Sequence, residues 1–77
     1  MTMNRLLLTK DLYHIVPINE AISSFRNICE VSLSENTKYY ICSFDRCSYN
    51  PDITTQEFEN YVIDLMNSHK KSKYDNP

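Results

Sequence analysis

Apolar positions recur at helical spacing in two parts of the chain, residues 17–28 ("PINEAISSFRNI") and 54–71 ("TTQEFENYVIDLMNSHKK"). The first stripe consists of Ile18, Ala21, Ile22, Phe25 and Ile28, and the second of Phe58, Tyr61, Val62, Leu65 and Met66. A single apolar stripe on an otherwise polar segment is typical of a helix that packs on one side only. The pattern therefore predicts two amphipathic helices.

Each of these helices has a start signal. Pro17 suits a first helical turn, because the N–H that proline lacks would have no partner there. Thr54 is the predicted N-cap of the second helix. Glu57, three residues later, completes a Thr-x-x-Glu capping box.

The remaining apolar segments predict β-strands. Residues 4–16 are extended, as one bent strand or two short ones, and we favour two. Residues 29–34 alternate apolar and polar positions, residues 35–37 are turn-like, and residues 38–44 return as the second strand of a hairpin. The return strand is apolar on both faces, with Tyr39 and Ile41 on one and Tyr40, Cys42 and Phe44 on the other. Such a strand is either paired on both sides and covered on both faces, or it has one face that meets a partner.

The element order is thus β-α-β-β-α, with the first strand in one or two pieces. It predicts an α+β fold in which two helices cover one face of an antiparallel sheet of three to four strands. The 77 residues suffice for one core, so we expect a single domain over residues 1–69. Residues 70–77, "KKSKYDNP", are predicted to be a polar, disordered tail.

Charge and hydropathy narrow the classes of partner and compartment. The net charge is −2, which argues against a nucleic-acid partner, and the lysines near the C-terminus are expected to form a solvated helix end. No apolar run approaches the length of a membrane span or of a secretory signal, so no membrane partner is expected. The protein is expected in the cytoplasm, with Cys29, Cys42 and Cys47 reduced.

The chain offers no recognisable catalytic set, and we expect neither an enzyme nor a bound cofactor. It contains no glycine, which excludes a glycine-rich phosphate loop. The cysteines lack the paired spacing of a structural zinc site, so no metal is expected. An enzyme is kept as an alternative that a bound metal would support. Its ligands would come from His14, Cys29, Cys42, Cys47 and His69.

Six tyrosines are many for a chain of this size, and tyrosine suits interfaces because it joins a large apolar ring to a polar tip. The predicted contacts to a peptide or partner are Tyr39, Tyr40, Ile41, Cys42 and Phe44. Among these, Tyr40 and Phe44 are the residues expected on an uncovered sheet face. A free sheet edge would also let a peptide add as an extra strand.

Taken in order, these segments resemble the HxsD family, the small proteins of His-Xaa-Ser repeat peptide systems. The similarity covers roughly residues 5–68: a first strand ending in Tyr13, "INEAISSF", "CEVSL", the apolar return strand and the closing helix "EFENYVIDL". The family-motif positions are Glu57, Phe58, Asn60 and Asp64.

The resemblance implies a non-catalytic accessory protein in the maturation of ribosomally made peptides. It would bind the leader of a precursor peptide, a radical S-adenosylmethionine maturase, or both, and the iron–sulfur chemistry would belong to that enzyme. The alternative is a small regulatory or phage-type interaction module that forms a homodimer through its apolar sheet face.

Overall fold

The computed structural model describes residues 4–74, with side chains for residues 4–68. Its elements are β1 (Asn4–Thr9), α1 (Ile15–Ser24), β2 (Glu30–Glu35), β3 (Tyr39–Asp45) and α2 (Pro51–Tyr74). The strands form one antiparallel sheet in the order β1-β3-β2. The predicted α+β class and the β-α-β-β-α order are confirmed, with a sheet of three strands.

The first strand is a single short segment, β1, so the prediction of two short strands in residues 4–16 is wrong. After β1 the chain turns, because the N–H groups of Leu12 and Tyr13 both donate to the carbonyl of Thr9, at 3.1 and 3.0 Å. Tyr13 therefore lies beyond the strand that it was expected to end. Ile15 and Val16, whose β-branched side chains favoured a strand, occupy the first turn of α1 instead.

Helix α1 lies slightly earlier than predicted. It begins two residues before Pro17, which is still within the first turn, where no N–H is required. His14, expected on the polar face of a strand, is the exposed N-cap residue of this helix. The regular helix ends at Ser24, and residues 25–28 form a turn in which the N–H of Cys29 donates to the carbonyl of Phe25 at 3.0 Å.

The hairpin of β2 and β3 is confirmed, and Asn36 organises its turn. The Oδ1 atom of Asn36 accepts hydrogen bonds from the backbone N–H groups of Lys38 and Tyr39, at 2.9 and 2.8 Å. The N–H of Asn36 donates to the carbonyl of Tyr39 at 3.0 Å. An asparagine side chain that bonds the backbone two and three residues on is a common way to fix a tight turn.

Helix α2 begins at Pro51, and Asn50 is its cap. The Oδ1 atom of Asn50 accepts hydrogen bonds from the N–H groups of Asp52 and Ile53, at 2.9 and 3.1 Å. The predicted cap at Thr54, with Glu57 completing a capping box, is therefore wrong. Asn50 followed by proline at the first helical position is a complete start signal four residues upstream, and Thr54 lies buried inside the helix.

At its other end α2 continues to Tyr74 and so includes residues 70–74 of the expected tail; residues 75–77 lie outside the described part of the chain. Within the part that the structure describes, no helix combines the length and apolarity needed to cross a membrane.

Both helices supply the core from one side of the sheet. The predicted stripes are confirmed, because Ile18 and Ala21 of α1 and Phe58 and Val62 of α2 are fully buried and their neighbours in the stripes pack around them. The buried apolar residues are Leu8, Ile18, Ala21, Cys29, Cys42, Phe44, Phe58 and Val62. Rings of Phe25 and Phe44 contact Phe58 edge to face, with centroids 5.3 and 5.0 Å away.

The opposite side of the sheet carries no helix among the described residues. Leu7 is 55% exposed and Tyr39 is 37% exposed there, beside the half-buried Ile41, which pairs with Leu7. We call these three residues the open face. Serines and an arginine surround them on the same side of the sheet, so the apolar area is small and bounded by polar groups.

Candidate functional site

The five residues predicted to contact a partner are divided between the two faces of β3. Tyr39 and Ile41 lie on the open face, whereas Cys42 and Phe44 are buried under the helices. The placement expected for Tyr40 and Phe44, on an uncovered face, is wrong. Alternation along a strand shows which side chains share a face but does not show which face the helices cover. In this fold the helices cover the face that carries Phe44.

Tyr40 lies near the start of β3 on the helix-covered face and packs against the core. The ammonium of Lys10 lies 5.2 Å from the centre of its ring, within the range of a cation–π contact. Lys10 also forms an ion pair with Glu35, which is the partner of Tyr40 in β2. Tyr40 is therefore part of a contact that joins β3 and β2 to Lys10, the residue that follows β1, at one end of the sheet.

The central position of β3 decides where a peptide strand can add. β3 pairs with β1 on one side and with β2 on the other, so its backbone groups are used within the chain. Among the described residues the edges of the sheet are β1 and β2. An added strand would therefore pair with an edge strand and would not contact the β3 backbone.

A cleft lies between the first half of β2, the end of α1 and the turn that follows this helix. Its volume is about 320 Å³, and it is lined by Ile22, Arg26, Cys29, Glu30, Val31 and Ser32. We call it the β2–α1 cleft. Three of these residues belong to the edge strand itself, so a chain paired with β2 would lie beside a helix as well as along a backbone. The residue pattern does not predict this cleft, because neither a helical stripe nor the alternation of a strand gives the distance between two elements.

The charged groups of the β2–α1 cleft are of both signs. Arg26 and Glu30 are exposed, and a guanidinium nitrogen of Arg46 lies 3.9 Å from the carboxylate of Glu30. Ile22 and Val31 supply half-buried apolar surface between them. An apolar strip bordered by exposed charges beside an edge strand is the chemistry that peptide recognition by strand addition uses.

The four positions that the resemblance to the HxsD family singled out fall into two groups. Phe58 is the buried centre of the aromatic contacts in the core, which accounts for a phenylalanine at this position. Glu57, Asn60 and Asp64 are exposed on α2. Packing does not explain these three polar residues.

The structure contains one free cysteine and one disulfide, whereas three reduced cysteines were expected. Cys29 and Cys47 are joined in a disulfide, and Cys42 is the free cysteine, fully buried between the sheet and the helices. The pairing was missed because the two sulfurs are 18 residues apart in sequence and meet only when the hairpin brings residue 47 back to the start of β2. Burial raises the pKa of the Cys42 thiol to about 11, so this thiol is a weak nucleophile near neutral pH.

The proposed ligands of the enzyme alternative do not assemble where they are described. Two of its cysteines are bonded to each other, and His14 lies at the start of α1. The side chain of His69 lies outside the described residues. Over the described part of the chain, no three histidine, cysteine or carboxylate side chains are grouped so as to hold a metal ion.

Comparison with known proteins adds no relative to this picture. No family model, no curated protein and no solved structure matches the chain.

Proposed function

We propose that this chain is a non-catalytic adaptor that binds a peptide as an additional strand on the edge of β2. The observation that supports it best is the β2–α1 cleft, which places apolar and charged side chains next to an edge strand. Main-chain hydrogen bonds would supply affinity, and the cleft would select side chains at alternate positions of the peptide.

The resemblance to the HxsD family suggests the biological setting of this adaptor. In that setting the peptide is the leader of a ribosomally made precursor, and a radical S-adenosylmethionine maturase is the second partner. The adaptor would hold the precursor, and the maturase would carry the iron–sulfur cluster and perform the reaction. The adaptor itself would need no cofactor.

The test measures binding of a synthetic precursor leader, encoded beside this gene, by calorimetry and by NMR titration of the ¹⁵N-labelled protein. Amide shifts are expected along β2 and at Arg26 rather than along β1. Arg26→Glu should change the affinity severalfold, because it reverses a charge in the cleft. Arg5→Glu is the matched control, since Arg5 is exposed on the other edge strand.

Three results would count against the proposal. They are a spectrum that the leader leaves unchanged at millimolar concentration, amide shifts that fall on β1, and equal effects of Arg26→Glu and Arg5→Glu on binding. Co-purification of the chain with the neighbouring maturase tests the second partner separately, because it does not depend on which edge the leader occupies.

We also propose that the adaptor works in the cytoplasm, together with the maturase. Disulfides are rare in that compartment, so Cys29 and Cys47 would be largely reduced there and would pair on exposure to an oxidant. Alkylation of cells with iodoacetamide before lysis, followed by mass spectrometry, measures the state of both thiols. A fully oxidised pair after this treatment contradicts the cytoplasmic assignment.

The open face favours a second candidate function, a homodimer that regulates or scaffolds another protein. Leu7 and Tyr39 are exposed next to Ile41 on a side of the sheet that no described element covers. Sedimentation equilibrium decides between the candidates. A dimer that Leu7→Lys dissociates, in a protein without affinity for the leader, supports the homodimer over the adaptor.

A further inference from the structure

A second cavity lies between the 25–28 turn, the segment that carries Tyr49 and the start of α2. Its volume is about 340 Å³, and it is lined by Phe25, Ile28, Tyr49, Ile53, Thr54 and Glu57. We call it the aromatic pocket. It shares no lining residue with the β2–α1 cleft, and its volume is near the lower end of the range of roughly 300–1,000 Å³ that protein ligand pockets occupy.

Helix α2 forms one wall of the aromatic pocket. Ile53, Thr54 and Glu57 are spaced by one and three residues, which puts them on one side of the helix. Thr54 is 4% exposed, whereas Ile53 is 55% exposed. This wall of the pocket therefore combines the buried Thr54, the exposed apolar side chain of Ile53 and the carboxylate of Glu57.

The other walls are held in place by contacts within the chain. The ring of Phe25 packs against Phe58 and Tyr61, with centroid distances of 5.3 and 5.8 Å. The backbone N–H of Ser48 donates to the carbonyl of Ile28 at 2.8 Å, which holds the segment carrying Tyr49 beside the 25–28 turn. The Cys29–Cys47 disulfide joins the same two segments covalently.

The lining has the chemistry of a site for an organic cation. Glu57 is its one charged residue, and among the described side chains Glu57 makes no ion pair. Tyr49, which is 69% exposed, and Phe25 offer aromatic rings. Apolar and aromatic walls with a single carboxylate complement a ligand that has an apolar stem and a positively charged end.

We propose that the aromatic pocket binds an arginine side chain presented by a partner polypeptide. Arginine fits better than lysine, because its planar guanidinium stacks on aromatic rings and forms two parallel hydrogen bonds with a carboxylate. The stem would lie against Ile28 and Ile53, and the guanidinium would reach Glu57. This assignment is independent of the strand-addition function proposed above, since it uses different residues.

The test is an NMR titration of the ¹⁵N-labelled protein with the blocked tripeptide acetyl-Ala-Arg-Ala-amide. Its analogue with citrulline has nearly the same shape without the charge. The expected result is a set of amide shifts confined to the residues that line the pocket, with the citrulline peptide about tenfold weaker. A lysine analogue should also bind more weakly than the arginine peptide.

Two variants test whether the carboxylate of Glu57 supplies the negative charge that binds the arginine peptide. Glu57→Gln keeps the shape of the side chain and should weaken binding of the arginine peptide about tenfold, without changing affinity for the citrulline peptide. Asp64→Asn removes a carboxylate from the same helix outside the pocket and should leave the affinity unchanged.

Equal affinities for the arginine and citrulline peptides, equal affinities for the arginine and lysine peptides, or shifts centred elsewhere would overturn the proposal. A Glu57→Gln protein that binds the arginine peptide as the unaltered protein does would overturn it as well. The precursor leader used for the strand-addition test is absent from this titration, so the two proposals succeed or fail separately.

Discussion

The ring of Phe58 in α2 contacts the ring of Phe44 in β3 edge to face, with ring centroids 5.0 Å apart. Both side chains are among the largest that the fold buries completely. This contact joins the closing helix to the central strand, and Phe25 of the 25–28 turn packs on the same Phe58 ring. Phe58 therefore joins α2 both to the central strand of the sheet and to the turn that follows α1.

Replacement of Phe58 by alanine should destabilise the fold by about 3–5 kcal/mol, because it removes buried apolar surface and leaves a cavity. In a chain of this size such a loss can unfold the protein, so Phe58→Leu provides a milder variant with a smaller loss. Urea denaturation followed by circular dichroism measures both. Ile63→Ala is the control on the same helix, since Ile63 is exposed, and a loss equal to that of Phe58→Ala would contradict the described core.

Asn50, not Thr54, should behave as the N-cap of α2. Asn50→Ala removes the acceptor of two backbone N–H groups and should cost about 1 kcal/mol, whereas Asn50→Asp should retain most of the stability. Glu57→Ala should have little effect on stability, because Glu57 does not complete a capping box. Thermal unfolding of the three variants checks this; a large loss in Glu57→Ala alone would restore the Thr-x-x-Glu interpretation.

The Cys29–Cys47 disulfide should stabilise the oxidised protein by about 3 kcal/mol, the value that chain entropy gives for a closed loop of this length. The double substitution Cys29→Ser and Cys47→Ser should therefore lower the free energy of unfolding and remove its sensitivity to dithiothreitol. Cys42→Ala is the control, because it keeps the disulfide and should keep the sensitivity. Denaturation curves with and without reductant that coincide for the unaltered protein would show that no such bond forms.

Burial of the Cys42 thiol predicts a loss of stability in alkaline solution. The pKa is about 11 in the folded protein against an ordinary value of 9.0, so above pH 9 the unfolded chain releases this proton more readily than the folded one. The contribution of the buried Cys42 thiol to the free energy of unfolding is fully present below pH 9 and is lost progressively as the pH rises towards 11.

The measurement is the free energy of unfolding of the oxidised protein between pH 8 and pH 11, compared with that of Cys42→Ala. The variant keeps every other titrating group. One of these is Tyr13, whose pKa is raised first by burial and then by the negative charge of Glu59. The unaltered protein should lose more stability than the variant over this interval. Parallel pH profiles would mean that the Cys42 thiol is not enclosed as described.

Residue patterns predicted the parts of this fold that depend on periodicity. The stripes of both helices and the alternation of β2 identify the side that each element buries, because burial must follow the repeat of the backbone. Periodicity cannot, however, distinguish a β-branched residue in a strand from one in the first turn of a helix. Ile15 and Val16 were misplaced for that reason.

The candidate site depended on relationships that a linear pattern does not contain. Tyr40 and Phe44 were assigned to the wrong face because both faces of β3 are apolar, and only the packing of Phe58 shows which one is covered. The β2–α1 cleft and the Cys29–Cys47 disulfide each join residues from separate elements, so both required the folded chain.

The Cys29–Cys47 disulfide encloses the whole β2–β3 hairpin, including the exposed turn at Asn36. A protease that cuts once at this turn would leave two fragments that stay covalently attached until a reductant is added. The same tether gives protein engineers a place to insert a tag or a reporter sequence, because the ends of both strands remain anchored below the insertion.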